Sequence, residues 1–456
     1  MIEPGNSAAA SGEATPPAGA YAWTVFALTF GLMLSDYLSR QVIGAVFPFL
    51  KSDWGVSDSQ LGALVSVVSV VVGVLTIPMS MMADRWGRVK SITLMAFVWC
   101  LATIACGLAT SYTQLLVARA LVGVGEAAYA AAGAALLAHT FPIGRRAAIQ
   151  GAFQSAGLFG SVLGVVIGGA VASQFGWRTA FFVVGAPGLL LALAYPFVVR
   201  DYQPPKLMAG DRGNAAVPLG QLVRQVFVAR SGNLTFLAFG LQMAIPSILI
   251  AWMPTFLIRS YAFEPRKAAL MAAVVVLVAG VGVLFGGGIA DWLSKGRPRY
   301  RAIVPAAYTL ICGVMLTSGF SMSPGPVALG LIVVGAVFAV AHGGCAVAIV
   351  MDVTHPAVRA TVTATAVLGA SLLGLAPGPF VVGLISDMSD LKTALTIAPL
   401  ISLVATGLFL LASRAYEGDA ARFRNVAPPE PDRLLRPSPL PRLGPVPSSG
   451  QANPLQ

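Results

Sequence analysis

A short charged segment, Asp84–Lys90, which reads Asp-Arg-Trp-Gly-Arg-Val-Lys, separates two long apolar blocks of the sequence. Similar apolar blocks recur along the chain, from Tyr21 nearly to Ser413. The chain is 57% hydrophobic and only 10% charged, with a mean hydropathy of +0.80, so a water-facing globule could not bury its apolar surface. A membrane-spanning helix takes about 20 apolar residues. The sequence therefore predicts an all-α membrane protein with twelve transmembrane helices.

The loops between the predicted spans orient the chain in the membrane. The spans are predicted at 21–50, 60–82, 91–110, 114–138, 148–172, 178–199, 233–258, 267–290, 302–321, 326–350, 360–385 and 393–413. The loops after the even-numbered spans, with the tail, hold 21 Lys and Arg residues, and the opposite side holds 6. Because cytoplasmic loops carry the excess of Lys and Arg, both termini are expected in the cytoplasm and the protein in the inner (plasma) membrane. Topology thus explains the net charge of +11 better than a nucleic-acid partner does.

A second charged segment, Gly287–Arg297, follows span 8 and repeats the order of an acid, a glycine and basic residues. The chain also repeats itself elsewhere, since Pro142 and Pro356 lie 214 residues apart and the same spacing separates Arg178 from Lys392. Transporter folds are built from such repeats, with the binding site between the two halves. The domains are predicted as a disordered N-terminus 1–20, a six-helix bundle 21–199, a cytoplasmic linker 200–232, a second six-helix bundle 233–413 and a Pro-rich disordered tail 414–456.

Each charged loop places an acid at a helix end, before a glycine turn and cations. The acid can cap the N-terminal dipole of a neighbouring helix, and the cations can bind carbonyl groups at other helix ends. Such contacts would hold one conformation closed. The alternative is a merely positive loop that obeys topology. The predicted gating residues are Asp84, Arg85, Gly87, Arg88, Asp291 and Arg297.

Four ionisable residues lie inside predicted spans of the first half, where charges are costly and usually functional. Asp36 and Arg40 are one turn apart in span 1, and Arg119 and Glu126 are two turns apart in span 4. The two helices are expected to meet as a neutral cluster of four charges. Since burial favours a neutral acid and a nearby arginine favours its anion, Glu126 and Asp36 are predicted to carry a coupled proton. Fixed structural ion pairs are the alternative interpretation.

The charged loops resemble the signature of the major facilitator superfamily, Gly-x-x-x-Asp-Arg/Lys-x-Gly-Arg. The first copy departs from it at Ser80, and the second has two extra residues between Asp291 and Gly296. The resemblance covers nearly the whole chain. It implies a secondary transporter whose halves rock around a central cavity.

Two further segments, Arg119–Tyr129 and Asp36–Pro48, resemble spans 4 and 1 of the Spinster branch of that superfamily. This resemblance implies proton-linked movement of lysophospholipids or sphingoid phosphates, with Arg40, Arg119 and Glu126 handling the headgroup and the proton. The family's aspartate before the span 1 arginine is Ser39 here. The pattern Arg-x-x-x-Gly-x-Gly-Glu-Ala is also similar to that of anion:cation symporters for sugar acids, so small organic carboxylates, or drugs, remain an alternative substrate class.

Other polar residues in the spans are predicted to line the cavity, although interhelical bonding would explain them equally well. They are Tyr129, Gln154, Gln242 and His342. With Arg40 and Arg119 they complete the predicted substrate-binding set. The second half is otherwise expected to supply a mostly apolar wall.

Helix packing and flexibility also leave traces in the sequence. A ladder of glycines in span 5, Gly157, Gly160, Gly164 and Gly168, is expected to let helices approach closely. Prolines and glycines in spans 7 and 11 predict bends in the helices. They are Pro246, Pro254, Gly374, Pro377 and Pro379.

Other classes of function lack their sequence features. No G-x-S-x-G, H-E-x-x-H or Walker motif is present, so an enzyme is not predicted. The four cysteines all fall in apolar blocks without the spacing of a metal site. We expect no cofactor beyond the proton gradient, a small-molecule or lipid substrate, membrane lipids as surroundings, and a functional monomer.

Overall fold

The computed structural model describes residues 19–200, 229–295, 299–354, 365–366 and 368–424. Helices make up nearly all of this part of the chain, and it contains no β-strand. The helices are α1 Ala20–Trp54, α2 Asp58–Trp86, α3 Arg88–Leu108, α4 Tyr112–Glu126, α5 Tyr129–Thr140, α6 Ile143–Phe175, α7 Trp177–Val198, α8 Arg230–Gln242, α9 Ala244–Tyr261, α10 Pro265–Leu293, α11 Tyr300–Ser321, α12 Pro326–Asp352, α13 Pro377–Met388, α14 Leu391–Ile397 and α15 Ile401–Arg424. A π-helical turn, Ser371–Leu375, precedes α13, and a 3₁₀ turn, Ala398–Leu400, precedes α15.

Twelve membrane-length segments in the described part of the chain confirm the predicted architecture. Eleven of them are long and apolar enough to cross a bilayer. The twelfth is α1, whose 35 residues exceed the length that a span needs, although Asp36 and Arg40 lower its hydropathy. Three of the described spans consist of paired helices, namely α4 with α5, α8 with α9, and α14 with α15. Helices α1–α7 form the first half and α8–α15 the second.

The glycine ladder of span 5 brings α6 against α1. A methyl group at Gly160 would lie 2.6 Å from the carbonyl oxygen of Leu34, and one at Gly164 would lie 2.9 Å from that of Leu38. Only glycine allows two helix backbones to approach this closely. The ladder therefore fixes the position of α1, the helix that carries Asp36 and Arg40.

The predicted bends occur in spans 7 and 11. Span 7 breaks at Met243, between α8 and α9. In a continuous helix the ring of Pro246 would clash with the carbonyl group four residues earlier. In span 11 the π-helical turn lies just before Pro377, which has no N–H to donate. These breaks leave helix ends inside the bundle.

The two halves pack tightly at one end of the bundle. We call this end, where α1 ends and α2 begins, the outer end, and the opposite end the inner end. Gly62 in α2 packs directly on the backbone of Pro379 in α13, and the rings of Phe47 and Trp252 are 5.1 Å apart. The halves are thus closed against each other on the outer side.

The duplication also appears in the helix boundaries. Arg178 and Lys392 are each the second residue of a helix, α7 and α14 respectively. The repeat around Pro356 lies outside the described residues, as do most of the predicted N-terminal segment, linker and tail. The last helix continues to Arg424, beyond the predicted end of span 12 at residue 413.

Candidate functional site

The site begins at a break in span 4. Helix α4 ends at Glu126 and α5 starts at Tyr129, so the carboxylate lies at a helix end inside the membrane. Two glycines before it allow this placement. A methyl group at Gly123 would lie 2.9 Å from the carbonyl oxygen of Val68, and one at Gly125 would lie 2.5 Å from the backbone nitrogen of Trp99.

Arg40 in α1 forms an ion pair with Glu126. Its Nε and Nη2 atoms both donate to Oε2 of the carboxylate, at 3.0 and 2.6 Å. The side chain of Glu126 is fully buried, whereas that of Arg40 is 21% exposed. The arginine is therefore the member of the pair that a ligand can reach.

Asp36 completes a triad of charges. It lies one turn before Arg40 and is almost fully buried, and its carboxyl group is close enough to that of Glu126 to interact with it electrostatically. Oδ1 of Asp36 and Oε1 of Glu126 have no hydrogen-bond partner. Since a buried polar atom without a partner is costly, a proton shared between these two acids would satisfy both. One arginine thus faces two carboxyl groups.

Arg119 does not join this triad, which differs from the expected four-charge cluster. The residue is fully buried, and its guanidinium group donates to the backbone carbonyl oxygens of Leu64, Ser39 and Arg40, at 3.1, 3.1 and 3.2 Å. Five fixed donors let an arginine satisfy several acceptors at once. Arg119 therefore joins α4 to α1 and α2.

A cavity of about 360 Å³ lies between the halves and borders Tyr37, the residue that follows Asp36. Its polar lining comes from the first half, namely Tyr37, Gln154 and Ser161. The second half contributes only apolar residues and glycine, from α9, α10 and α12, in agreement with the expected apolar wall. The guanidinium carbon of Arg40 is 5.6 Å from the centroid of the Tyr37 ring. Tyr37 thus lies between the cavity and the ion pair.

Of the four uncharged residues predicted to line the cavity, only Gln154 does so. Tyr129 is fully buried and donates to the carbonyl oxygen of Thr29 at 2.6 Å. Gln242 is buried and donates to Cys312 at 3.5 Å. His342 is buried beside Phe239, with a ring separation of 5.6 Å. These three are embedded in the packing of their own halves.

A charged cluster at the outer end crosses between the halves. We call it the outer cluster; it consists of Lys51, Asp58, Arg259, Ser386 and Asp387. Arg259 donates to both carboxylate oxygens of Asp58, at 2.7 and 2.8 Å, while Lys51 and Ser386 each donate to it at 2.6 Å. The Asp58 side chain is only 3% exposed. Its burial under several donors makes this a strong contact between the halves.

Asp387 in α13 caps helix α2 of the other half. Its two oxygens accept hydrogen bonds from the backbone N–H groups of Asp58 and Ser59, at 2.7 and 2.9 Å. Those groups begin a helix and have no partner within it. Sequence reasoning missed the outer cluster, because charged residues at the ends of spans are ordinary. The sequence feature that could have indicated this cluster is Asp58, an aspartate at the start of span 2.

The family model of the Major Facilitator Superfamily matches residues 29–379, more than half of the chain. The chain belongs to the major facilitator superfamily. It is therefore a multi-pass membrane transporter, and the prediction of a transporter rather than an enzyme is confirmed.

Known members of the superfamily from two branches are similar to this chain. Protein spinster homolog 1 of Xenopus tropicalis is 26% identical over 439 residues, covering 88% of this chain and 82% of that protein. The probable L-galactonate transporter of Escherichia coli is 27% identical over 308 residues, covering 66% of this chain and 68% of that protein. Both branches that the sequence resembles are thus found among its relatives.

A solved structure of a major facilitator shares the fold. The crystal structure of a bacterial homolog to the human lysosomal transporter Spinster, in an inward-facing and unoccupied conformation, has a TM-score of 0.77 and 23% identity. The match covers 89% of this chain and 99% of that one. The likeness confirms the arrangement of helices.

The signature loops of the superfamily lie at the inner end. Gly87 has a φ of 112° and forms the turn between α2 and α3, a conformation that favours glycine. In the second copy, Asp291 accepts a hydrogen bond from Arg301 at 3.1 Å, and Arg301 also pairs with Asp352 at 2.8 Å. Arg85 is exposed. The side chain of Asp84 and the whole of Arg297 lie outside the described part of the chain.

Metal chemistry has no candidate in the described part of the chain. Among those residues, no group of three or more His, Cys, Asp or Glu side chains could hold a metal ion. The four cysteines are free and buried.

Proposed function

We propose that this major facilitator is a proton-coupled secondary transporter that moves an amphipathic, lysophospholipid-like anion by alternating access. The observation that carries the proposal is the triad of Asp36, Arg40 and Glu126 beside a mostly apolar cavity. We place the protein in the inner membrane with both termini in the cytoplasm, from the distribution of Lys and Arg in its loops. In that orientation the outer cluster lies on the periplasmic side.

Coupling follows from competition for Arg40. Glu126 holds the arginine in the absence of substrate. A substrate anion that binds Arg40 displaces the carboxylate, and the displaced, desolvated Glu126 then takes up a proton. Asp36, whose carboxyl group interacts with that of Glu126, passes or shares that proton. One anion and one proton would cross together, without leaving an isolated charge in the membrane.

The chemistry of the cavity supports an amphipathic substrate. Its wall from the second half is apolar, and its polar groups lie on the first half, where the Tyr37 ring is 5.6 Å from the guanidinium carbon of Arg40. An acyl chain would lie against the apolar wall, including Leu249 and Val276, while the anionic headgroup would reach Arg40. Burial of apolar surface would supply most of the affinity.

A small organic carboxylate is the second candidate substrate. It is favoured by the similarity to the probable L-galactonate transporter and by the partly exposed Arg40, since one guanidinium group suits one carboxylate. Sugar acids carry many hydroxyl groups, however, and each would need a partner in the cavity. Few side chains there can supply one.

Uptake by purified protein in proteoliposomes tests the function and separates the substrates. A lysophosphatidylglycerol and galactonate are each offered with and without an imposed pH gradient. We expect the lysolipid to accumulate only with the gradient. Accumulation of galactonate alone would replace the first substrate with the second, and gradient-independent equilibration of both would overturn proton coupling.

Two carboxylate variants test the role of Glu126. Glu126→Gln should still exchange labelled substrate for unlabelled substrate, but should no longer respond to the gradient. The matched control is Glu264→Gln, which makes the same chemical change at an exposed position and should behave like the wild type. A gradient response that survives in Glu126→Gln contradicts the proposed proton carrier.

A further inference from the structure

Two surface grooves flank Trp86 at the inner end of the first half. One, of about 480 Å³, runs between α3 and α7. Lys90, Leu94 and Phe97 are among its lining residues. The other, of about 530 Å³, lies on α2 and is lined by Pro78, Met81, Met82, Arg85 and Trp86. Trp86 lines both grooves, so they meet at its indole ring.

The position of Trp86 fits a membrane interface. The hydrophobic span of α2 ends at Ala83 and that of α3 starts at Arg88, so Trp86 lies between them. Its side chain is 53% exposed, and half-exposed tryptophan is typical of the interface. From Lys90 to Phe97 the first groove follows α3 into the membrane for about 10 Å, at about 1.5 Å per residue.

The walls of the grooves suit acyl chains. Leu94 and Phe97 are 40% and 36% exposed in one groove, and Met81 is 53% exposed in the other. These apolar side chains face outward, where lipid covers a spanning helix. Each groove thus offers an apolar channel that starts at the interface.

The basic side chains beside the grooves indicate which class of lipid would bind there. Each groove has one exposed cation near Trp86, Arg85 in one and Lys90 in the other. The segment 84–90 as a whole carries three cations against one carboxylate. Basic residues close to the membrane surface attract anionic headgroups. A zwitterionic headgroup would gain much less from this net positive charge.

We propose that one anionic phospholipid of the bilayer binds astride Trp86, with an acyl chain in each groove and its headgroup between Arg85 and Lys90. The lipid would bridge α2, α3 and α7 at the loop that carries the predicted gating residues Gly87 and Arg88. Anionic lipid would therefore stabilise the first half in the conformation described here. This site is separate from the transport cavity.

The test uses full-length protein in nanodiscs of phosphatidylcholine, with phosphatidylglycerol added in increasing fractions. The readouts are lipid retention by native mass spectrometry and the thermal unfolding midpoint. Each basic residue near the surface contributes about fivefold to the affinity for anionic lipid. The double variant Arg85→Gln/Lys90→Gln should therefore bind phosphatidylglycerol about twenty-five-fold more weakly than the wild type.

Two further variants distinguish a defined site from diffuse surface charge. Arg145→Gln/Lys295→Gln removes two exposed cations at the same end but outside the grooves, and it should keep the wild-type preference. Thr93→Trp leaves both cations in place and fills the groove beside Lys90, and it should lose the bound lipid. Each variant is compared with its own midpoint in pure phosphatidylcholine, which removes differences in basal stability.

Two results overturn the proposal. One is an equal loss of phosphatidylglycerol preference in both charge variants, which would mean general attraction to an anionic surface. The other is unchanged lipid retention in Thr93→Trp, which would mean that no chain occupies the groove.

Discussion

Arg259 in the second half donates two hydrogen bonds to Asp58 in the first, at 2.7 and 2.8 Å. The same carboxylate binds Lys51, which belongs to its own half. When the halves separate at the outer end, the bond to Arg259 must break, whereas the bond to Lys51 can persist. The pair of Asp58 and Arg259 therefore favours the state that is closed at the outer end.

The first prediction is that Arg259→Gln shifts the protein toward a state that is open at the outer end. A hydrogen bond to a charged group contributes about 1.5 to 3 kcal/mol. Because the Arg259 side chain is 32% exposed and water screens its charge, we expect its loss to destabilise the closed state by about 1.5 kcal/mol. The open population should rise roughly tenfold. Electron–electron distance measurements between spin labels at Ser52 and Ser389 would detect the opening. Lys51→Gln is the matched control and should leave the distance distribution unchanged.

A second prediction concerns the cap that Asp387 provides across the interface. Asp387→Ala should open the outer end in the same direction as Arg259→Gln, because the first N–H groups of α2 lose their acceptors, at a cost of about 1 kcal/mol. Because the two substitutions break the same interface, the free-energy changes that they produce should not simply sum in the double variant. Full additivity in the same distance measurement would show that the cap and the ion pair act independently.

A third prediction separates the two arginines of the first half. Arg119→Lys removes bonds to three backbone carbonyl oxygens that a single ammonium group cannot all reach, so it should lower the thermal unfolding midpoint markedly. Arg40→Lys keeps a cation beside Glu126 and should change that midpoint little, but it should raise the KM for substrate about tenfold, which is about 1.4 kcal/mol. Thermal unfolding and uptake are to be measured on both variants. A change mainly in the KM of Arg119→Lys would reverse these assignments.

The architecture could be predicted from the sequence because lipid imposes a strong pattern. A span needs a long apolar run, so every interruption is conspicuous, and so are Asp36, Arg40 and Glu126 inside such runs. The duplication followed from a spacing of 214 residues between Arg178 and Lys392. These features depend on position along the chain alone.

The rest of the site depends on side-chain direction, which position along the chain does not determine. Arg119 could have faced a carboxylate, but the carbonyl groups of α1 and α2 are its actual partners. Tyr37 lines the cavity, although an aromatic residue in an apolar span carries no signal of its own. Asp58 and Arg259 are separated by 201 residues, and only the folded halves bring them together.

The last prediction tests why span 4 needs glycine before Glu126. A methyl group at Gly125 would lie 2.5 Å from the backbone nitrogen of Trp99, so Gly125→Ala should push α4 away from α3, with a loss of about 1 to 3 kcal/mol in unfolding free energy. Gly151→Ala in α6 is the matched control, since no atom lies within 4 Å of the added methyl group. It should gain about 0.5 to 1 kcal/mol because alanine favours a helix more than glycine does. Opposite shifts of the thermal unfolding midpoint are therefore expected. Equal shifts would mean that close packing of α3 and α4 does not determine the position of Glu126.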